Sequence, residues 1–588
     1  MKGKKTNALW WIGLLAGLVA INFIASKLHY RVDLTEEKRY SLTSATKELV
    51  RNMPSDVVID VFLKGEFPTG FRKLSNTTQE FLSILKETNP ARIKYRFISP
   101  DEDAGNGKTW GDSLRSAGVE PINLTVQQKG GEENKFIFPY AVISGNGESD
   151  IVNLFPSSRR SISAAELNNA EALLEYSFTK AINKLVNTRK PSVAYAIGNG
   201  QPEGPETFSL RQAIDPEKIP TNLINPKLFQ RDVKGDYEFG IFNLTEQAAI
   251  PPTIDVLLIV KPSLSFSEQE KLKIDQYIMR GGKVIWFIDN LYAEQDSLRF
   301  KPELVAYDRN LNLGDLLFNY GVRINSDLIM DLQCDFLKFI VGGTSENPQE
   351  EILQWNYWPL LQPNSEKRVH PIVKNMGLVA GRYVNSIDTV ESDGIRKSFL
   401  LVTSSNSRSI NTPALISLNE NKAVPEHALF KRNAIPTAVI LEGKFSSLYR
   451  NRLSRNLQDS FKAYGGYLEM STTENKMIVV ADGDVVLNDM SEKEGPLPLG
   501  MNNSTFGTKF SYPSANKSFL LNCLEYLTGN IAIVESRNKE VVLRLLDLKK
   551  VDAEKGKWQL INIALPIALI ILFGIAYQRI RRYRFASA

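Results

Sequence analysis

The sequence predicts an α/β protein held between two membrane spans, its main module a doubly wound parallel sheet and a smaller α/β module preceding it. Three observations carry this. Ile254–Val260 (IDVLLIV) is an almost unbroken apolar run, the type buried on both faces of a parallel sheet. Ser267 and Glu270 open a helical pattern that closes at Gly281-Gly282, and the apolar run Val284–Ile288 follows, giving a βαβ unit. Uncharged stretches of membrane-spanning length stand near both ends of the 588-residue chain.

Trp558–Tyr577 reads WQLINIALPIALIILFGIAY. About twenty residues at about 1.5 Å each suffice to cross a bilayer core of about 30 Å. Arg579, Arg581, Arg582 and Arg584 follow and place that end in the cytoplasm. Ala8–Ser26 is likewise uncharged and is preceded by Lys2, Lys4 and Lys5. A cleaved secretory signal is the alternative there, but the apolar run is longer than a signal core and no A-x-A site follows it. The expectation is therefore a tail at 1–7, a span at 8–28, a span at 558–577 and a basic tail at 578–588. Both termini are then cytoplasmic, with the bulk of the chain outside; the resemblance named below makes that membrane the inner one and the outside the periplasm. Asn22, Gln559 and Asn562 are polar groups at or near the spans, suited to hydrogen-bonding a partner helix. For Asn562, snorkelling to the interface is an equal alternative.

The formal charge of +5 is supplied by those two basic clusters, and without them the chain is slightly acidic. That argues against a nucleic-acid-binding surface. With only Cys334 and Cys523 present, no disulfide framework stabilises the exported part. Cys523 shares a helical face with Phe519, Leu520, Leu524 and Leu527 and reads as core; a Cys334–Cys523 bridge is the alternative.

Between the spans, 29–54 is a connector in which Ser44 N-caps a short helix stopped by Pro54. Residues 55–155 form the smaller module, with strands at Val57–Leu63, Ile93–Ile98, Ile122–Gln128, Phe136–Ser144 and Asp150–Phe155. Helices lie at Phe71–Glu87 and Lys108–Ala117. This order is similar to a thioredoxin-like sandwich, without any cysteine for redox chemistry. Residues 156–190 are a helical connector, with a capping box at Ser163 and Glu166 and an apolar stripe of Leu167, Leu174, Phe178, Ile182 and Leu185. The doubly wound module takes 191–530. It starts with the strand Val193–Ile197 and ends with the strand Met477–Ala481 and the helix Lys517–Leu527. A β-rich insertion at about 291–475 holds the runs Ser386–Val390, Ser398–Ser404 and Ala438–Gly443. Residues 531–557 connect to the last span.

Chemistry is sparse. The segment EDAGNGKTW matches a phosphate loop at Gly107, Lys108 and Thr109 but has Glu102 at the first glycine position, where its carboxylate repels phosphate. Neither cysteine sits on a strand-to-helix elbow, G-x-S-x-G is absent, and His29, His370 and His427 belong to no triad or metal motif. One constellation remains. Ligands of open parallel sheets bind beyond the carboxyl ends of the strands. Those ends carry Gly198 and Gly200 with Glu203, then Asp289 and Asn290, then Asp482 and Asp484. Such a set suits a cation or a hydroxyl-rich ligand; the same residue types are also what strand-to-helix turns prefer. No cofactor is expected.

The strings DLTEEKRYSLTSATKELV, VVIDVFLKGEFPTGFRKL and VILEGKFSSLYRNR, with the terminal arginine-flanked span, resemble the GldG family across essentially the whole chain. That family is the membrane-anchored auxiliary component of the gliding-motility ABC transporter of Bacteroidetes. The resemblance implies a main module like class I glutamine amidotransferases, without their catalysis. It also implies two partners, a polytopic permease and a separate cytoplasmic ATPase. A tethered periplasmic enzyme and a solute-binding receptor for the permease are the competing expectations.

Overall fold

The computed structural model describes residues 11, 13–19 and 22, and residues 41–585 apart from 106, 118, 120, 129–130, 156–163, 187–188, 220–234, 300, 345–346, 366–368, 423–426, 451, 454–464, 530 and 538–547. The chain divides into two units, 1–539 and 540–588.

In the first unit, α1 (Ser44–Arg51) is capped by Thr43, one residue earlier than expected: the Thr43 hydroxyl, rather than that of Ser44, accepts from the Thr46 N–H. A four-stranded sheet follows. β1 (Val57–Val61) leads through α2 (Thr69–Thr88) to β2 (Ile93–Phe97), which pairs parallel to it. After α3 (Trp110–Ser116), β3 (Ile122–Gln128) and β4 (Gly131–Ile137) form a separate ribbon. β5 (Tyr140–Gly145) then pairs antiparallel to β1, and β6 (Glu148–Asn153) to β5. The run expected as one strand, Phe136–Ser144, is thus two. Pro139 lacks the N–H a ladder needs, and the chain changes sheet there. Val57, Ile59 and Val61 are buried against Leu74, Leu82 and Leu85 of α2 and Phe178 and Ile182 of α4 (Ala164–Val186). Ser163, the expected cap of α4, lies outside the described residues.

The main sheet has ten strands. Its parallel half is β7 (Ser192–Ile197), β8 (Glu238–Asn243), β9 (Val256–Val260) and β10 (Lys283–Phe287), with a later strand, Asn475–Val480, beyond β10. α5 (Phe208–Ile214) lies between β7 and β8, and α6 (Glu268–Met279) between β9 and β10. The capping box at Ser267 and Glu270 is formed in both directions. β7 sits between β8 and β9, so the winding direction reverses there. Alternate residues serve the two faces: Leu257, Ile259, Val284 and Trp286 meet α6, while Val256, Leu258, Ile285 and Phe287 pack with α5 and the later helix Asn516–Thr528. Every residue of β9 is buried, as its apolar run required.

The region expected as an insertion contributes to this same sheet. β11 (Cys334–Thr344) and β12 (Asn347–Pro363) form a long hairpin, and β13 (Ile395–Val402) and β14 (Pro436–Gly443) carry the antiparallel pairing to β15 (Asn475–Val480). α7 (Gly314–Tyr320) covers one face; α8 (Asn516–Thr528) and the short α9 (Ile531–Arg537) complete the unit. Cys334 and Cys523 are both buried and free, so the alternative of a bridge is not realised. Burial pushes the Cys334 thiol up to about 12.

The second unit contains α10 (Leu548–Phe585), whose stretch Glu554–Tyr583 is long and apolar enough to cross a membrane. Gln559 and Asn562 lie on it, exposed. The other expected span, Ala8–Ser26, is mostly outside the described residues; Asn22 within it is helical and exposed.

Candidate functional site

β9, β10 and β15 run parallel and in register, so the residues after their last positions arrive side by side: Lys261, Asp289 and Asp482. Lys261 holds a left-handed backbone (φ +44°). Its Nζ lies 2.7 Å from Asp484, 3.1 Å from Glu294 and 3.3 Å from Asp289. The carboxylate oxygens of Asp289, Asp482 and Asp484 lie within 4.8 Å of one another. Backbone N–H groups hold them in place. Arg382 and Asp484 donate to the two oxygens of Asp482 at 2.7 and 2.8 Å, and Gly483 donates to Asp289. Gly483 is required by crowding, since a Cβ there would meet the Cβ of Lys261 at 2.6 Å.

Asp482 is fully buried and Asp289 nearly so. Burial raises both carboxyls above their ordinary range, Asp289 to about 6 in spite of Lys261; repulsion from Asp484 adds to it at both, and repulsion from Asp289 adds to it at Asp482. Burial opposes the charge on Lys261, but Asp484, Asp289 and Glu294 outweigh it and hold the ammonium well above its usual pKa. Three carboxylates so close can hold a metal ion; here the ammonium of Lys261 pairs with two of them, Asp289 and Asp484. Around this core, Arg309 pairs with Glu294. Arg382 makes two 2.7 Å bonds to Asp489 and covers Trp358 at 4.4 Å. The cluster opens on a cavity of about 1810 Å³, whose wall includes Lys261, Glu294, Arg309, Trp358, Arg382 and Asp484.

Of the expected site residues, Asp289, Asp482 and Asp484 come together. Gly198 (φ +116°) and Gly200 (φ +70°) shape the turn after β7. Gly200 lines the cavity, and a side chain there would strike Ser263. Glu203 is exposed and contributes its carbonyl to Arg211 rather than a carboxylate to the cluster. Asn290 turns away, bonding Asn385, Asp308 and Ser326. Sequence reasoning missed Lys261, Glu294, Arg309 and Arg382. Lys261 was within reach, because the strand-end rule applied to Val256–Val260 points at the next residue.

The other chemical candidates are accounted for. The Thr109 hydroxyl caps α3 and Glu102 pairs with Lys64 at 2.7 Å, so the EDAGNGKTW segment is tied into a helix start. His370 is pushed down to about 4 by burial and packs edge-on against Tyr526. His427 is exposed, and His29 lies outside the described residues.

Residues 190–523, which hold this whole cluster, match the family described as an ABC-type uncharacterized transport system. The chain belongs to that family. Membership carries an auxiliary role in an ABC-type transport system and partners inside an ABC transporter complex. Together with the apolar α10, it associates the chain with a membrane. Residues 36–144 match a family described as a domain of unknown function. No curated protein matches. Among solved structures, the mmIFT52 N-terminal domain aligns at 11% identity and a TM-score of 0.29, covering 57% of this chain and 97% of its own. An exo-β-1,4-mannosidase, Op5Man5 from Opitutaceae bacterium strain TAV5, aligns at 10% identity and a TM-score of 0.18, covering 76% and 51%. At such scores neither relation speaks to function.

Proposed function

We propose that this chain is a non-enzymatic, two-span subunit of an ABC-type complex that serves gliding motility. Its periplasmic part would bind or couple to partners, while a polytopic permease and a cytoplasmic ATPase do the transport work. The observation that carries this reading is the ABC-transport family match over the main module. The placement of polar groups supports the non-enzymatic part: Lys261 is held in ion pairs with Asp289 and Asp484, and both thiols are buried.

Copurification of the full-length chain from native membranes tests the reading. A permease and an ATPase should come with it in fixed ratio; recovery of the chain without either rejects it. An impermeant thiol reagent should label Ser149→Cys and spare Ser587→Cys, and labelling of both rejects the topology. The purified chain should leave glutamine unhydrolysed. The cavity of about 1810 Å³ beside the winding reversal favours one second reading, a receptor that hands a solute to the permease.

A further inference from the structure

A second charged cluster lies away from the cavity, where the smaller sheet, the main sheet and the outermost helices of the first unit meet. Helix α4 is its axis. Lys184 Nζ lies 2.9 Å from Asp150 on β6 and 3.4 Å from Asp236 just before β8. One turn earlier, Lys180 Nζ lies 3.0 Å from Asp236 and 3.8 Å from Glu525 on α8. One turn earlier again, the Tyr176 hydroxyl donates to Glu525 at 3.1 Å. Arg537, the last residue of α9, completes the set: it pairs with Glu525 at 3.1 Å and covers the Tyr176 ring at 4.0 Å. Within these ion pairs Lys180, Lys184 and Arg537 match Asp150, Asp236 and Glu525 one for one, and Lys517 on α8 is close enough to feel Lys180 and Asp236. The neighbouring flank of α4 holds α1. Glu175 accepts from the Thr43 N–H at 2.7 Å, and the Thr46 and Thr179 hydroxyls meet at 3.3 Å.

Residues 175–184 of one helix therefore grip five things: the first and last helices of the region 41–537, α8, and both sheets. Apolar packing alone lets helices slide and rotate; buried, directional bonds between opposite charges fix orientation as well as distance. The pair at the centre, Glu525 and Arg537, has side-chain exposures of 7% and 9%, so neither partner can open to water without the other losing its charge compensation. Among the described side chains of α9, Ile533 is the one buried hydrophobic group, so the polar contacts set how α9 is held.

We propose that α4 and this ion-pair network form a rigid joint, which makes α1, α9 and the two sheets move as one body. The joint stands on this geometry; the transport-subunit reading supplies its use, since a displacement applied at α1 or α9 would reach the cavity-bearing sheet undiminished.

Hydrogen exchange on the full-length chain tests it. Glu525→Gln should speed amide exchange at least tenfold in α9 and also in α1 and at β6, with β9 and β10 still protected as a check on folding. Acceleration confined to α9, or none, overturns the joint. Should that variant fail to fold, Thr46→Cys with Thr179→Cys tests the same point separately. Oxidation to a disulfide should leave α9 exchange, and ATP hydrolysis by the copurified complex, within twofold of the unmodified chain, because joined elements never separate. A loss of hydrolysis that reductant restores shows that α1 and α4 must part, and overturns the joint. If no ATPase copurifies, the transport-subunit reading fails by itself and the exchange result still decides the joint.

Discussion

Two lysine–carboxylate clusters in this chain are built from the same parts and differ in their charge balance. At the carboxyl ends of the main sheet, Lys261 and Arg309 face Asp289, Asp482, Asp484 and Glu294, an excess of acid beside a cavity. Along α4, three cations pair with three carboxylates drawn from both sheets and α8. Excess acid in a buried place has to be relieved, and here the carboxyls of Asp289 and Asp482 are raised toward protonation. In the α4 network each paired carboxylate has a cation beside it, and although burial opposes the charge on Asp236, Lys180 and Lys184 hold its carboxyl below the ordinary range. Position follows the same division: strand ends face an opening, whereas a connector helix reaches every neighbouring element.

The largest expected effect separates the two at once. Lys261→Met leaves four carboxylates around an apolar side chain, and a buried charge stripped of its partner costs about 3–5 kcal/mol. Urea-dependent amide exchange at β9 and β10, at pH 7, should register a loss of that order. A loss under about 1 kcal/mol would mean that the carboxyls are already protonated, or reached by water, and the contrast with α4 would collapse.

Next in size is the response to pH. Asp289 has its folded-state pKa raised to about 6, above the value an unfolded aspartate keeps. Between about pH 4 and 6 the folded state therefore holds more protons than the unfolded chain, and stability falls as pH rises through that window. For Asp289 alone the change amounts to at most about 3 kcal/mol. Asp289→Asn, which cannot ionise, should flatten the slope in the same exchange experiment. An unchanged slope would move the titration to another residue of the cluster.

How much of this could be read beforehand depends on whether a contact is local. The all-apolar Val256–Val260 fixed a strand buried on both faces, and Ser267 with Glu270 fixed the start of α6, because burial and capping act within a few residues. Asp289 and Asp482 followed from the rule of strand ends. The joining of β13 and β14 to β15 did not, since backbone pairing across tens of residues leaves no local pattern. Lys261 passed unnoticed because a single lysine after a strand reads as solvated surface, until register places two aspartates beside it. The α4 network was invisible for the same reason: Lys180 and Lys184 look like the polar side of an amphipathic helix, and their partners lie as far away as Glu525.

The smallest expected effect is at Lys184, and it tests the difference in environment directly. Its side chain is 18% exposed, and its partners Asp150 and Asp236 are 22% and 27% exposed. Water screens such pairs, so Lys184→Ala should cost about 1 kcal/mol. Mobile ions reach them too. Between 0.05 and 1 M salt the Debye length shrinks to about 3 Å, and the cost should fall by about half. Lys261 has 12% exposure, with Asp289 beside it at 9%, and its carboxylates close around it. The cost of Lys261→Met should therefore hold steady over the same range. Urea is the denaturant for both, because guanidinium would itself supply the salt. If Lys184→Ala is as costly and as salt-insensitive as Lys261→Met, the joint is as dry as the cavity cluster and charge balance alone separates them. If both costs fall with salt, the cavity cluster is open to water, and its raised carboxyls need a cause other than burial.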